Sequence, residues 1–224
     1  MSLPKLALFD LDHTLIPIDS DYSWGQFTVS LGWTDPVEFT RLNDQFYTQY
    51  KAGTLDIYEY ARFASAAFVA QGEAAARQAH ARFMADIITP ALRPQALELV
   101  RSHKEQGATV LLVTATNEFV TGPIAQAFGA DELLAVDLQR DASGWFTREV
   151  RGVPTFREGK VARVQAWLAA RNWGWEDVHS TFYSDSINDL PLLEKVNVPV
   201  ATNPDEPLRA IALERGWRIL DLFA

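Results

Sequence analysis

Apolar positions follow two rhythms along this chain. Residues 6–9 (LALF) place four apolar side chains in a row, which suits a short buried strand and is too short for a helical period. The run stops abruptly in Asp10-Leu11-Asp12. The texture then changes. Residues 20–89 show helical spacing with many aromatics, among them Trp24, Phe27, Phe39, Phe46, Tyr47, Tyr50, Tyr58, Phe63 and Phe68. Breaks near Gly32, Gly53 and Gly72, with Thr34, Asp35 and Thr54 as helix-start residues, predict a bundle of about four helices. Its aromatics are expected to be the bundle's own core.

From residue 90 onward strands and helices alternate. A helix over residues 93–106 ends at Gly107, a buried strand covers 108–114 (ATVLLVT), and a helix over 117–128 ends at Gly129. LLAVDLQ and GWFTREV read as two strands joined through the turn residues Asp141 to Gly144. A helix over 160–171, the strand HSTFYSD, a short helix over 190–194, the strand NVPVAT, a helix over 207–215 and a last strand over 218–220 complete the series. Such alternation implies right-handed crossovers and a mainly parallel sheet with helices on both faces, an α/β Rossmann-like architecture. The predicted organisation is a core of residues 1–17 and 90–224 with an α-helical domain, residues 18–89, inserted between them. Three of the strands end in Asp10, Thr114 and Asp185, and folds of this kind bind ligands beyond the carboxyl ends of their strands.

Composition narrows the chemistry. The 224 residues contain no cysteine, which excludes disulfides, thiolate metal sites and cysteine nucleophiles. A net charge of −9 argues against nonspecific nucleic-acid binding, and it means that an anionic substrate must find locally concentrated positive charge. No run approaches the ~20 apolar residues that span a bilayer, and the start of the chain lacks the basic and apolar regions of a signal peptide. A soluble, cytoplasmic protein without membrane partners is expected. The four histidines, His13, His80, His103 and His179, show no metal-ligand spacing.

The acids at the strand ends do suit a metal. Asp10 and Asp12 together with Asp185 and Asp189 of YSDSINDLP offer the oxygen ligands that a hard cation such as Mg²⁺ takes. In an extended segment alternate side chains share a side, so residues 10 and 12 can face one ligand. Asp189, where the chain turns into a helix, can orient a metal-bound water. Thr114, a hydroxyl at a strand end, and Lys160, an ammonium at a helix start, suit the non-bridging oxygens of a phosphoryl group, whose transfer depends on positioning and electrostatic stabilisation.

In order along the chain, FDLDHT, LLVTATN, FREGK and YSDSINDLP resemble the four signature motifs of the haloacid dehalogenase-like hydrolases. The helical insert after the first motif is similar to the C1 cap of that superfamily's phosphoserine-phosphatase-like branch. The resemblance implies an Mg²⁺-dependent phosphomonoesterase working through an aspartyl phosphate. It makes Asp10 the nucleophile and Asp12 the general acid, then base. It gives the metal the Asp10 carboxylate, the Asp12 backbone carbonyl and the Asp185 carboxylate. Thr114 and Lys160 would bind phosphoryl oxygens, with Asp189 supporting Lys160 and metal water. The dehalogenases lack the second acid, so Asp12 speaks against carbon–halogen cleavage. A phosphotransferase or mutase of the same superfamily, or a phospho-accepting signalling module without turnover, are the alternatives.

The cap should choose the small-molecule phosphate ester. Asp19 and Asp21 lie just beyond the nucleophile loop, suitably placed for a cationic amine, and Arg62 is placed on a helix that could meet a substrate carboxylate. Asn117 adds a polar side chain after Thr114. TATNEFVTGPIA, GVPTFREGKV and YSDSINDLPLLE are also similar to bacterial members of the branch that act on histidinol phosphate, which is favoured here over phosphoserine. Tyr22 or Trp24 is expected to stack on its imidazole ring.

Overall fold

The computed structural model describes residues 3–223. Strand β1 (Lys5–Phe9) is followed by four helices, α1 (Ser20–Ser30), α2 (Pro36–Ala52), α3 (Ile57–Gln71) and α4 (Glu73–Phe83). A π-helical turn (Met84–Ile88) and α5 (Thr89–Ala91) lead to α6 (Pro94–Glu105). Then come β2 (Ala108–Asn117), α7 (Glu118–Phe128), β3 (Glu132–Val136), β4 (Leu138–Arg140), β5 (Phe146–Val150) and α8 (Glu158–Ala169). The last elements are β6 (His179–Ser184), α9 (Leu190–Leu193), β7 (Val198–Thr202), α10 (Glu206–Arg215) and β8 (Arg218–Leu220).

Six strands form one sheet in the order β3-β2-β1-β6-β7-β8, with every pairing parallel. This is the expected α/β architecture. The first strand sits between β2 and β6, with Phe9 aligned to Leu112 on one side and Tyr183 on the other. Alternation along the strands feeds two cores. Ala7, Phe9, Val110, Leu112 and Tyr183 join residues of α6 and α7 on one face, while Leu6, Leu8, Leu111, Val113 and Phe182 join α8, α9 and α10 on the other.

Two details depart from the sequence reading. LLAVDLQ is not one strand: β3 enters the large sheet, and β4 leaves it to pair antiparallel with β5. The predicted turn closes that hairpin, with the Asp141 carboxylate accepting from the Ser143 and Trp145 amides (2.8 and 3.2 Å). Strand β2 continues past Thr114 to Asn117, through an irregularity between Val113 and Asn117.

The insert's helices begin and end as capping chemistry dictates. Asp35 accepts from the Val37 and Glu38 amides at the start of α2, and Gly53 closes it in the left-handed region with φ 70°. The start of α3 is capped by Asp56 rather than at Thr54. Only part of the aromatic set is private to the insert: Phe39, Phe46, Tyr60 and Phe63 pack on one another. Trp24 and Phe68 instead pack against Phe119 of α7, and Phe68 also meets Trp145 and Phe146. The buried faces of α1 and α3 therefore meet α7 and the β4–β5 hairpin through Trp24 and Phe68. Among the described residues no helix is long and apolar enough to cross a membrane.

Candidate active site

The carboxyl ends of three adjacent strands bring together residues far apart in sequence. Asp10 follows β1, Asp185 follows β6, and Thr114 lies in β2. The first turn of α8 adds Lys160, and the 3₁₀ turn after Asp185 adds Asp189. The Lys160 ammonium is buried, 3% exposed, and donates to Asp10 Oδ1 (2.7 Å) and to Asp189 Oδ2 (2.6 Å). Burial alone would lower its pKa, but the two carboxylates hold it above the ordinary lysine range. Ser184 also donates to Asp189 Oδ2, at 2.7 Å.

On the far side of Asp10 stands Thr14. Its hydroxyl donates to Asp185 Oδ1 (3.1 Å), lies 3.4 Å from Asp10 Oδ2, and accepts the Asp185 amide (3.0 Å). Thr14 was not assigned a role from sequence, although it closes the FDLDHT motif. The Asp10 and Asp185 carboxylates therefore converge on one point. Burial, then Asp10 and Asp189, push the Asp185 carboxyl well above the usual range. This is a donor set with excess negative charge and hard oxygen ligands, which fits a divalent cation such as Mg²⁺. No group of three or more His, Cys, Asp or Glu that could hold a metal is assembled among the described residues. A metal here would rest on two carboxylates, with main-chain carbonyl and water making up the rest.

The Asp12 carboxylate is held by partners of its own. Its Oδ1 accepts the Ser20 amide (2.7 Å) and its Oδ2 accepts the Thr116 hydroxyl (3.0 Å). The Thr116 amide in turn donates to Thr114 Oγ1 (3.1 Å). Burial first, then Asp19 and Asp10, raise the Asp12 carboxyl well above the ordinary aspartate range.

The residues expected at the substrate fare unevenly. Asn117 is a helix cap: its side-chain oxygen accepts the Val120 amide (3.1 Å), and its NH₂ group points to Asp21 (3.4 Å). Asp19 caps α1 through the Tyr22 amide (2.8 Å). Arg62 is drawn to Glu149 of β5, with Nε and Nη2 each 2.9 Å from a carboxylate oxygen. Trp24 is 1% exposed and walled off from any ligand, whereas Tyr22 is 42% exposed. Asp21 is buried and lines a cavity of about 480 Å³ between α1, α2 and α3, together with Phe39, Phe63, Tyr60 and Glu59.

Burial and Asp19 push the Asp21 carboxyl up to about 7, while the Tyr60 hydroxyl works the other way. The folded state therefore holds this proton more tightly than the unfolded chain does. Stability from this group is lost as pH rises from about 4 to about 7 and then levels off. Asp21→Asn is thus expected to gain stability over the parent at pH 8 and to lose that advantage at pH 4.5 or below. Urea unfolding at the two pH values checks this; an advantage that does not depend on pH would contradict it.

Lys160 reaches the cleft because Gly159 lets α8 start tight against the preceding loop. A Cβ at position 159 would lie 2.0 Å from the Pro154 carbonyl oxygen. Gly159→Ala is expected to cost about 1–3 kcal/mol, read as a lower urea midpoint at unchanged m. An unshifted midpoint would show that the loop yields freely.

A model of the haloacid dehalogenase-like hydrolases matches residues 7–194. A histidinol-phosphatase of Neisseria meningitidis serogroup C is 39% identical over 220 residues, which is 98% of this chain and 99% of that protein. A phosphoserine phosphatase of Mycobacterium tuberculosis is 31% identical over 228 residues, covering 99% of this chain and 72% of that one. A crystal structure of a protein of unknown function from Bordetella pertussis Tohama I superposes with a TM-score of 0.93 at 46% identity, covering 99% of this chain and all 100% of that one.

Proposed function

The chain belongs to the haloacid dehalogenase-like hydrolases as one of their phosphatases, and from that premise we propose that it is an Mg²⁺-dependent phosphomonoesterase for a small amine-bearing phosphate ester, histidinol phosphate before phosphoserine. The observation that carries this reading is Lys160 clasping Asp10 and Asp189 at the end of the central strand while Thr14 joins Asp10 to Asp185.

Asp10 attacks phosphorus in line. A bond forms between its carboxylate oxygen and phosphorus as the bond to the ester oxygen breaks. Asp12, fixed by the Ser20 amide and the Thr116 hydroxyl, gives its proton to the departing alkoxide. It then takes a proton from the water that attacks the aspartyl phosphate, which releases phosphate and restores Asp10. Lys160 and Thr114 bind the phosphoryl oxygens, and Asp189 holds Lys160 in place. The carboxylates of Asp10 and Asp185 and the carbonyl of Asp12 would hold Mg²⁺, which would supply positive charge against that of the transferring group. The helical insert, residues 18–89, acts as the cap that closes over this chemistry.

Two observations favour histidinol phosphate. The Neisseria relative bears that activity in its name and matches along its whole length. Arg62, the side chain expected to meet the carboxylate of phosphoserine, is already paired with Glu149. The deciding measurement is turnover of histidinol phosphate, phosphoserine and p-nitrophenyl phosphate by purified protein, with Mg²⁺ and with EDTA. Fastest turnover of histidinol phosphate, lost in EDTA, is expected. Preference for phosphoserine would overturn the substrate, and phosphate passed to an added alcohol rather than to water would overturn the hydrolase reading.

A further inference from the structure

The far end of α2 touches the core at two points, and each lies beside a residue of the cleft. Tyr50 is hydrogen-bonded through its hydroxyl to Ser186 Oγ at 2.7 Å. Ser186 directly follows Asp185, and its amide donates to Ser184 Oγ (3.2 Å), which itself donates to Asp189 Oδ2. A continuous chain of hydrogen bonds thus runs from Tyr50 through Ser186 and Ser184 to Asp189, then through Lys160 to Asp10.

The second point is three residues along the same helix end. Arg157 Nη1 donates to the Gly53 carbonyl at 2.8 Å. The backbone of Arg157 supports Lys160, whose amide donates to the Arg157 carbonyl (3.0 Å). Arg157 holds φ 52° and ψ −121°, a conformation that glycine adopts freely and an L side chain does not. Such strain persists only where surrounding contacts impose it, and it gathers at sites with work to do. Phe156 fills the space between the two points, 6.1 Å from the Tyr50 ring and 5.9 Å below the Arg157 guanidinium.

We infer that the segment from Tyr50 to Gly53 is a clasp that couples the position of the insert to the placement of Lys160, Asp185 and Asp189, with Tyr50 and Arg157 as positioning residues. This rests on the phosphatase reading only in treating those three side chains as the reacting site. Neither clasp residue touches the reacting atoms. Their effect is to hold the segments that do, and to release both segments together when the end of α2 lifts.

Three variants test it: Tyr50→Phe, which keeps the ring and loses the hydroxyl; Arg157→Gly, which relieves the backbone and loses the guanidinium; and Arg157→Lys, which keeps the charge. Hydrogen exchange of metal-free protein over residues 45–55 and 184–190 should speed up by about tenfold in the first two and less in the third. With p-nitrophenyl phosphate and Mg²⁺, kcat should fall by about tenfold in the first two while KM moves less than twofold, with partial recovery in Arg157→Lys. Arg157→Gly should show a Tm no lower than the parent's, so that stability and turnover part company. Unchanged exchange, or faster exchange with kcat within twofold of the parent, would overturn the clasp. An unaltered protein that hydrolyses no phosphate ester would defeat the phosphatase reading instead, and the exchange measurement would still decide whether the clasp exists.

Discussion

Asp10→Asn is expected to lower turnover of p-nitrophenyl phosphate by about 10⁴-fold or more, the scale seen when a covalent nucleophile is removed. The amide has nearly the shape of the carboxylate and can still offer an oxygen to Lys160, which lies 2.7 Å from Asp10 Oδ1. The fold should survive, with an unchanged far-ultraviolet circular dichroism spectrum. The chemistry should not, because a neutral amide does not form the bond to phosphorus. Rapid-quench measurement should also find no covalent phosphate on the variant. Steady-state turnover within tenfold of the parent would mean that another group attacks, and water activated directly by Asp12 would become the leading mechanism.

The second large effect is on stability. Lys160→Met should cost about 3–5 kcal/mol, the usual result of leaving buried charges without their partner. Lys160 is the cation in contact with Asp10 and Asp189, both less than a tenth exposed, and methionine fills a similar volume without the charge. The double variant Lys160→Met with Asp189→Asn should recover part of the loss, since it removes one of the stranded carboxylates. Turnover should drop by about 10²–10³-fold in the single variant and should not return in the double, because the phosphoryl oxygens lose their ammonium in both. Urea unfolding separates the cases. A single variant within 1 kcal/mol of the parent, on the same scale of ion-pair loss, would show that water already screens the pair.

What could be read from the sequence was the part of the site carried by side chains with strong chemistry at strand ends. Asp10 and Asp185 announce themselves, because a buried strand running into acid needs an explanation and parallel sheets put their ligands there, while Asp189 and Lys160 stand where the chain turns into a helix. Apart from Thr114, the hydroxyls were opaque. Thr116 and Ser184 find their acids through side-chain direction, which spacing alone does not fix. Asn117 and Asp19 looked like binding groups, yet each stands immediately before a helix and accepts an amide three residues on, which is the signature of a cap. Arg62 and Glu149 are 87 residues apart in sequence, and only the packing of α3 against β5 makes them partners. The long reach of β2 past Thr114 was hidden by the same means, since the strand continues only because β3 is there to pair with it.

The loop that follows Asp10 is also fastened to the other end of the described chain. Asn203, at φ 47°, donates from its NH₂ group to the His13 carbonyl (2.8 Å), and its side-chain oxygen accepts the amides of Leu222 and Phe223 (2.7 and 3.2 Å). A polypeptide emerging from the ribosome therefore carries residue 10 through synthesis of 193 further residues before Asn203, which anchors the loop beside it, is made. Nascent fragments that stop short of residue 203 lack that anchor and should be inert toward phosphate esters.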